Sequence, residues 1–218
     1  MKKLIIFDLD GTLIDTLDDL RMSVNFALSQ FNYPLRSREQ VRKDIGNGVA
    51  KLIERSIFAG LLDENYAKCL AIFQDHYRNN YNVYTRPYDG VFNTLKKLQK
   101  EGYIVTCATN KIKDVARNLL DTHFPNVFTY FEGDREGMKK KPDPMMIDEL
   151  MKHFGVSKEE TLYIGDTNVD EEVATNAEVD YALVTYGYRT EEEIKNVCRC
   201  KHLLHTSEDI FNYIKNLK

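Results

Sequence analysis

The sequence predicts a three-layer α/β fold, in which a parallel sheet lies between helices and an all-helical block is inserted after the first strand. Two observations predict it. Short apolar runs alternate with helical patterns from about residue 85 onwards, which is typical of β-α units. Residues 15–84 show helical periodicity and no strand pattern. The predicted domains are therefore residues 1–14 with 85–218, which form the sheet, and residues 15–84, the helical insertion.

The first strand is predicted at residues 4–7, a short apolar run that ends at Asp8. Gly11 breaks the run, so Asp8 and Asp10 leave the strand at its carboxyl end, where open α/β sheets place their ligand crevice. Two carboxylates so close together repel each other unless a cation shares the site, and Mg²⁺ prefers such oxygen ligands. Taken alone, the segment is equally typical of an Asx-rich turn that caps the next helix.

Four helices are predicted in the insertion. Asp15 and Thr16 are N-cap residue types in front of the first. Residues 37–40 resemble a capping box and begin the second. The segment Gly46-Asn47-Gly48 separates the second helix from the third, and the fourth begins at residues 63–64 and runs towards residue 81.

The remaining chain alternates between strands and helices, as a parallel sheet with helical crossovers requires. Strands are predicted at residues 103–108, 127–131, 161–164 and 181–184. Helices are predicted at residues 91–102, 111–122, 144–154, 169–177 and 207–217.

Composition excludes several classes of protein. The 218 residues are 43% hydrophobic, which is enough for a core, and 30 Lys and Arg stand against 34 Asp and Glu. Without a basic surplus or a Lys/Arg-rich run, neither nucleic acid nor a membrane is expected as a partner. The four cysteines are too few and too scattered for a disulfide framework. We therefore expect a cytoplasmic protein, as a monomer or homodimer.

Three further segments offer chemistry suited to the same site as Asp8, and two of them follow predicted strands. Thr109 and Asn110 follow a strand and begin a helix, which offers a hydroxyl and free N–H groups to an anion. Lys141 is followed by two prolines that leave its backbone little freedom, which suits an ammonium held beside a phosphoryl group. Asp166 follows another strand, and Asp170 comes four positions later. Each segment alone is also typical of an ordinary helix cap or a solvated surface.

In this order, the four segments resemble the signature motifs of the haloacid dehalogenase superfamily, over essentially the whole chain. The phosphoglycolate-phosphatase-like branch, with a helical cap, is the most similar. The stretches that carry this likeness are FDLDGTLIDTLDDL, VRKDIGNGVAKLIERSI, RPYDGV, ATNK, KKKPDP and YIGDTNVD. One departure is visible, because the family commonly has Ala-Gly where this chain has Ala177-Glu178.

The resemblance implies a Mg²⁺-dependent phosphomonoester hydrolase that acts on a small phosphorylated metabolite, most similar to phosphoglycolate. It implies Asp8 as the nucleophile that forms an aspartyl-phosphate, and Asp10 as the acid and base. Thr109 and Lys141 would complete the catalytic set. The implied Mg²⁺ ligands are Asp8, the backbone carbonyl of Asp10, Asp166 and, directly or through water, Asp170.

Substrate contacts are expected from both domains. Backbone N–H groups near Gly11 and Asn110 would hold the transferring oxygens. In the insertion, Gly46, Asn47 and Gly48 would let the backbone approach a small ligand, and Arg42 and Lys43 would meet a substrate carboxylate. A plain turn between two helices, with solvated basic neighbours, is the alternative for the insertion.

Other functions remain open. A sugar-phosphate mutase similar to β-phosphoglucomutase keeps the whole site, and a pyrophosphatase of the same superfamily differs only in substrate. A true dehalogenase needs no acid for a halide, so Asp10 argues against it. A non-catalytic binding protein would be favoured only if Asp8, Asp10 or Lys141 were missing, and all three are present.

Overall fold

The computed structural model describes residues 1–46 and 48–217. The chain divides into two compact units, one made of Met1–Ile14 and Pro87–Lys218, and the other of Asp15–Arg86. The first unit contains a large sheet with flanking helices, and the second is built from helices. The α/β fold class predicted from the sequence is confirmed. The assignment of residues 15–84 as a cap domain stays a prediction.

A six-stranded sheet with parallel pairing throughout forms the first unit, in the order β5-β4-β1-β6-β7-β8. Strands β2 and β3 form a separate two-stranded sheet. The strands are β1 (Leu4–Phe7), β2 (Ile14–Asp15), β3 (Arg86–Pro87), β4 (Ile104–Ile112), β5 (Glu132–Asp134), β6 (Thr161–Gly165), β7 (Asp180–Val184) and β8 (Leu203–Leu204).

Ten α-helices and one short 3₁₀ helix, Gly60–Leu62, complete the described chain. The α-helices are α1 (Leu17–Ser29), α2 (Arg38–Asp44), α3 (Val49–Ser56), α4 (Tyr66–Asn80), α5 (Val91–Lys100), α6 (Lys113–His123), α7 (Met145–Phe154), α8 (Asn168–Asn176), α9 (Glu191–Val197) and α10 (Ser207–Asn216). The predicted capping box at the start of α2 is confirmed, because Ser37 and Gln40 exchange side-chain and backbone hydrogen bonds.

Strand β1 lies in the middle of the sheet, and all four of its side chains are fully buried. This explains its unbroken apolar run, since a central parallel strand is covered on both faces. Phe7 is in register with Cys107 on β4 and with Ile164 on β6. The residues that follow β1 and β6 are therefore brought together at one edge, beside the second half of β4.

The helical unit has its own core. Helix α1 packs on α4, with the buried side chains of Val24 and Leu28 on α1 and of Cys69 and Phe73 on α4. Asp19 on α1 is also buried, and it accepts hydrogen bonds from the backbone N–H groups of residues 83–85. The start of α1 is thereby tied to the segment that leads out of the unit.

One predicted strand, at residues 127–131, is wrong. That segment forms turns, with the Val127 N–H bonded to the Phe124 carbonyl, and the strand lies at Glu132–Asp134. The side chains of Val127, Phe128 and Phe131 in this segment are buried. The Phe128 ring packs edge-on against the ring of Phe124. A loop packed on the core therefore produced the same sequence pattern as a strand.

Other differences concern boundaries and short elements. Strand β4 continues to Ile112 and α6 begins at Lys113, so residue 111, predicted as the first of a helix, lies in the strand. Helix α9 and strand β8 were not predicted. Helix α9 begins with three glutamates and contains one buried apolar residue, Ile194, so it has little periodicity to detect.

Glu178 occupies the turn after α8, where the related family commonly has glycine. Its φ of 58° lies in the left-handed region, and the Val179 N–H bonds back to the Ala174 carbonyl. This is a helix-ending geometry that glycine adopts without strain. Glu178 adopts it at a cost of about 1 kcal/mol, and the turn is preserved.

Among residues 1–46 and 48–217, no helix has both the length and the apolar character needed to cross a bilayer.

Candidate active site

The edge where β1 and β6 end, beside the second half of β4, carries predicted site residues of the sheet unit. Asp8 directly follows β1, and Thr109 lies two residues beyond the β4 partner of Phe7. Asp166 lies two residues beyond the β6 partner of Phe7. The parallel register therefore brings residues that are far apart in the sequence to one place.

Three carboxylates form a tight group at this edge. One oxygen from each of Asp8, Asp166 and Asp170 lies within 4.8 Å of the others. Asp166 is fully buried, Asp170 is 1% exposed and Asp8 is 8% exposed. Buried carboxylates at such distances repel one another unless cations or hydrogen-bond donors offset the charge.

The pKa values of Asp8 and Asp166 are both raised in this group, and burial is the largest cause for each. Burial, opposed by the Lys141 ammonium and reinforced by the charge of Asp170, raises the pKa of Asp8 to about 7. Burial and the charges of Asp170 and Asp8 raise the pKa of Asp166 well above its usual value. A cation bound nearby would therefore make ionisation of either group easier.

Lys141 supplies one positive charge to the group. Its Nζ lies 2.8 Å from Asp8 Oδ1 and 2.8 Å from Asp170 Oδ1, and its side chain is 3% exposed. Burial disfavours the charged form, but the carboxylates of Asp170 and Asp8 raise the pKa of Lys141 well above its usual value. Lys141 is therefore a permanent cation beside Asp8.

Asp170 is held differently from the other two carboxylates. Its Oδ1 accepts hydrogen bonds from Lys141 and from the Tyr163 hydroxyl. Its Oδ2 accepts three more, from the Asp166 N–H, the Thr167 N–H and the Thr167 hydroxyl. Burial alone would raise the pKa of Asp170, but Lys141 and these bonds together lower it.

Thr109 and Asn110 take distinct places beside this group. The Thr109 hydroxyl oxygen accepts the Lys111 N–H at 3.1 Å, so its own proton is free to be donated, and the residue is 1% exposed. The side-chain amide of Asn110 is bonded twice to the Lys141 backbone, accepting its N–H at 2.7 Å and donating to its carbonyl at 3.1 Å. Asn110 therefore fixes the backbone from which the Lys141 side chain extends.

The chain was also compared with known families and proteins. A family model described as haloacid dehalogenase-like hydrolase matches residues 5–184. The chain belongs to this family. A phosphoglycolate phosphatase from Pseudomonas aeruginosa is 34% identical over 86% of this chain and 71% of its own length. A phosphoglycolate phosphatase from Aquifex aeolicus is 33% identical over 85% of this chain and 86% of its own length.

Solved structures give the same result. A predicted phosphoglycolate phosphatase from Haemophilus somnus is 30% identical, with a TM-score of 0.88, and the alignment covers 98% of both chains. A candidate phosphoglycolate phosphatase from Lactobacillus delbrueckii is 26% identical, with a TM-score of 0.92, over 98% of this chain and 99% of the other. This chain is thus a phosphatase of the haloacid dehalogenase family.

In this phosphatase, Asp10 forms an ion pair with a second lysine, Lys111. Lys111 Nζ lies 2.8 Å from Asp10 Oδ1, and the Lys111 side chain is 8% exposed. Sequence patterns did not single out Lys111. Its contact with Asp10 depends on β4 continuing past Thr109, where the register between β4 and β5 shifts.

Two glycines are fixed by close approach to Asp166. Gly11 has a φ of 88°, and a Cβ there would lie 2.7 Å from the Asp166 Cγ. Its N–H donates to the Ile14 carbonyl at 2.9 Å, so its predicted contact with substrate stays a prediction. At Gly187, which sequence patterns did not single out, a Cβ would lie 2.5 Å from Asp166 Oδ2 and would overlap the Gly11 carbonyl oxygen.

The loop after β7 therefore belongs to the site. The Tyr188 N–H donates to Asp166 Oδ2 at 2.7 Å, and the Tyr186 hydroxyl donates to the Thr12 carbonyl at 3.1 Å. These contacts fix one oxygen of Asp166 and the turn after Asp10. The only signal in the sequence is a glycine between two tyrosines just beyond a strand, which does not by itself indicate a site.

The substrate-binding residues predicted in the helical unit are described within that unit alone. Arg42 pairs with Glu39 through two 2.8 Å contacts. Gly46 and Gly48 have φ of 129° and 87° between α2 and α3, and the Gly46 carbonyl accepts a hydrogen bond from Arg55. Asn47 lies outside the described residues. The substrate contacts of these four residues stay predictions.

Proposed function

We propose that this phosphatase is a Mg²⁺-dependent phosphomonoester hydrolase that works through an aspartyl-phosphate on Asp8. The observation that carries the proposal is the buried ion pair between Lys141 Nζ and Asp8 Oδ1, at 2.8 Å. A nucleophilic carboxylate needs one oxygen held and the other free to attack, and a buried ammonium provides this at the place where phosphoryl charge would develop.

The donor set fits a magnesium ion. Asp8 and Asp166 offer hard oxygen ligands, and a cation beside them would offset the burial that raises their pKa values. The Asp10 carbonyl is the third ligand that we propose. Both oxygens of Asp170 are already hydrogen-bonded within the protein, which supports an indirect role through water over direct ligation. When bound, Mg²⁺ would shield the negative charges of Asp8 and the phosphoryl group from each other.

In the first step, an Asp8 oxygen attacks phosphorus and the bond from phosphorus to the ester oxygen breaks. Asp10 protonates the departing oxygen, so the alcohol leaves neutral. Thr109 donates its free proton to a phosphoryl oxygen, and Lys141 neutralises the charge that builds up there. Preorganised donors of this kind contribute about 3 kcal/mol each to the transition state.

In the second step, water attacks the phosphorus of the aspartyl-phosphate. Asp10, now ionised, takes the proton from that water, and the bond between phosphorus and Asp8 breaks to release phosphate. Lys111 contacts Asp10 Oδ1 at 2.8 Å and keeps its carboxylate in one orientation. The two steps together return every group to its starting state.

The proposed substrate is 2-phosphoglycolate. The support is that relatives from Pseudomonas aeruginosa and Aquifex aeolicus, both named as phosphoglycolate phosphatases, share a third of their aligned residues with this chain. Arg42, with the segment around Gly46 and Gly48, is the proposed carboxylate contact. The same core chemistry would act on other small phosphorylated metabolites, so substrate choice rests on the helical unit.

The test is phosphate release with and without Mg²⁺ from 2-phosphoglycolate, β-glucose 1-phosphate, pyrophosphate, a nucleoside monophosphate and p-nitrophenyl phosphate. EDTA and the Asp8→Asn variant are the controls. We expect metal-dependent release, fastest from 2-phosphoglycolate and lost in both controls.

The other outcomes discriminate among the alternatives. Conversion of β-glucose 1-phosphate to the 6-phosphate without phosphate release would identify a mutase. If phosphate were released fastest from pyrophosphate, the protein would be a pyrophosphatase, and the aspartyl-phosphate mechanism would still stand. No reaction of any compound would contradict the proposal and favour a binding protein.

A cytoplasmic location, a monomeric or homodimeric state and the absence of nucleic-acid or membrane partners are proposed with this function. The net charge of −4 and the lack of a basic run support the last of these.

A further inference from the structure

Tyr163 combines a core position with a polar contact in the site. It lies on β6, paired with Ile6 of β1 and Tyr181 of β7, and it is fully buried. Its ring belongs to an apolar cluster that includes Leu4 and Met146. Phenylalanine would fill that space equally well, and a buried hydroxyl is costly unless it is hydrogen-bonded. The hydroxyl therefore calls for an explanation of its own.

The Tyr163 hydroxyl lies between the lysine and one carboxylate of the site. It accepts a hydrogen bond from Lys141 Nζ at 2.9 Å and donates one to Asp170 Oδ1 at 3.0 Å. The Ala108 carbonyl is a second acceptor, at the longer distance of 3.4 Å. Burial and the charge of Asp170 raise the pKa of Tyr163 well above its usual value, so the hydroxyl keeps its proton.

The Lys141 ammonium has three N–H donors and, in this arrangement, three acceptors. They are Asp8 Oδ1 at 2.8 Å, Asp170 Oδ1 at 2.8 Å and the Tyr163 hydroxyl at 2.9 Å. Two acceptors alone would let the ammonium rotate about the line that joins them, since a lysine side chain has four rotatable bonds. The third acceptor fixes the rotation.

We propose that Tyr163 is a positioning residue that holds the Lys141 ammonium on Asp8 Oδ1 and so leaves the other oxygen of Asp8 to attack phosphorus. The inference rests on the proposed phosphatase function. Tyr163 acts through Lys141 and contacts neither substrate nor the reacting atoms. Its loss would leave the ammonium poorly oriented in the transition state, while ground-state binding of substrate would change little.

The test compares Tyr163→Phe with Tyr181→Phe. Tyr181 is the register partner of Tyr163 on β7, and its hydroxyl donates to Glu171, outside the site. Both changes remove one hydroxyl bonded to a carboxylate. We expect Tyr163→Phe to lower kcat by about 10- to 100-fold with KM changed less than about threefold, as for partners that orient a reacting group. Tyr181→Phe should leave both constants unchanged.

Inhibition adds a readout that a loss of stability would not reproduce. Vanadate mimics the transferring phosphoryl group, whereas inorganic phosphate mimics a ground state. We expect Tyr163→Phe to weaken vanadate inhibition by a factor similar to its loss in kcat, and to leave phosphate inhibition unchanged. A merely structural role would lower the melting temperature without separating the two inhibitors.

A double-mutant cycle tests whether the effect passes through the lysine. In a Lys141→Met background, Tyr163→Phe should cause no further loss of kcat. An equal loss in both backgrounds would overturn the inference, as would a Tyr163→Phe enzyme with wild-type kcat or one altered only in KM. An inactive wild-type enzyme would instead contradict the proposed phosphatase function, so the two failures are distinguishable.

Discussion

Each of the two units of the chain contains buried carboxylates, but the surroundings of these carboxylates differ. In the helical unit, Asp19 is 1% exposed and accepts hydrogen bonds from the N–H groups of Val83, Tyr84 and Thr85 and from the Thr85 hydroxyl, at 2.7–3.1 Å. In the sheet unit, Asp8 and Asp166 lie in a group of three carboxylates, and both have raised pKa values.

The two cases differ in how the charge is compensated. Asp19 has donors for both of its oxygens, so its charge is stabilised by the fold and ties α1 to the segment leading out of its unit. Asp8 and Asp166 are buried beside other carboxylates, and burial is the largest cause of their raised pKa values. A bound cation would offset this cost, as the proposed function requires.

The largest expected effect is on turnover. Asp8→Asn should lower kcat by at least about 10³-fold, because the amide keeps the shape but is not a nucleophile. The melting temperature should not fall, since the change removes a repelling charge. Phosphate release and thermal unfolding measured on one preparation check both statements. A variant with a tenth of wild-type activity would remove Asp8 from the nucleophile's role.

Asp19→Asn should destabilise the protein by roughly 3 kcal/mol, because an amide places N–H groups against backbone donors and loses charge-assisted bonds. Denaturant unfolding measures this loss. The matched control is Asp18→Asn, next in the chain and partly exposed, whose ion pairs with Arg21 and Arg38 each contribute under about 1 kcal/mol. Equal effects of the two changes would contradict a special role for Asp19.

Asp166→Asn should act in the opposite direction. Without metal, the variant should be about 1 kcal/mol more stable than the wild type, because one of three repelling charges is gone. The Tyr188 N–H keeps an oxygen acceptor in the variant. Denaturant unfolding in EDTA measures the difference. A clear loss of stability would show that the wild-type charges are already well compensated.

The pH dependence of stability has a defined sign. Burial raises the pKa of Asp8 from 3.8 to about 7 in the folded protein, so the folded state holds its proton more tightly than the unfolded state. This contribution is fully favourable below about pH 4, declines as the pH rises to about 7, and is constant above that. The metal-free wild type should therefore lose stability relative to Asp8→Asn across this window. If the stability of the two proteins changed with pH in the same way, the raised pKa of Asp8 would be contradicted.

The sequence predicted the parts of the site whose position a local pattern fixes. Asp8, Thr109 and Asp166 were predicted because an apolar run precedes each of them, and Lys141 because two prolines follow it closely. The α/β class was predicted because such apolar runs alternate with helical patterns along the chain. Strand β5 was misplaced, because a loop packed by its phenylalanines has the apolar pattern of a strand.

Residues whose roles depend on three-dimensional neighbours were not predicted. Tyr163 has the sequence pattern of an ordinary strand residue, and its contact with Lys141, 22 residues earlier in the chain, exists only in the folded protein. Gly187 and Tyr188 join the site because a loop far along the chain passes within 2.7 Å of Asp166. No local pattern encodes such contacts, since they follow from how β7 and β6 pair.

The most direct test of the central claim is a Mg²⁺ titration of metal-free protein by calorimetry, with unfolding followed at each metal concentration. We predict one bound ion per chain and a stability that rises with metal concentration, as linkage requires for a ligand of the folded state. Asp166→Asn should abolish both effects, and Asp19→Asn should retain the binding. Absence of Mg²⁺ binding by the folded wild type, or undiminished binding by Asp166→Asn, would contradict the account.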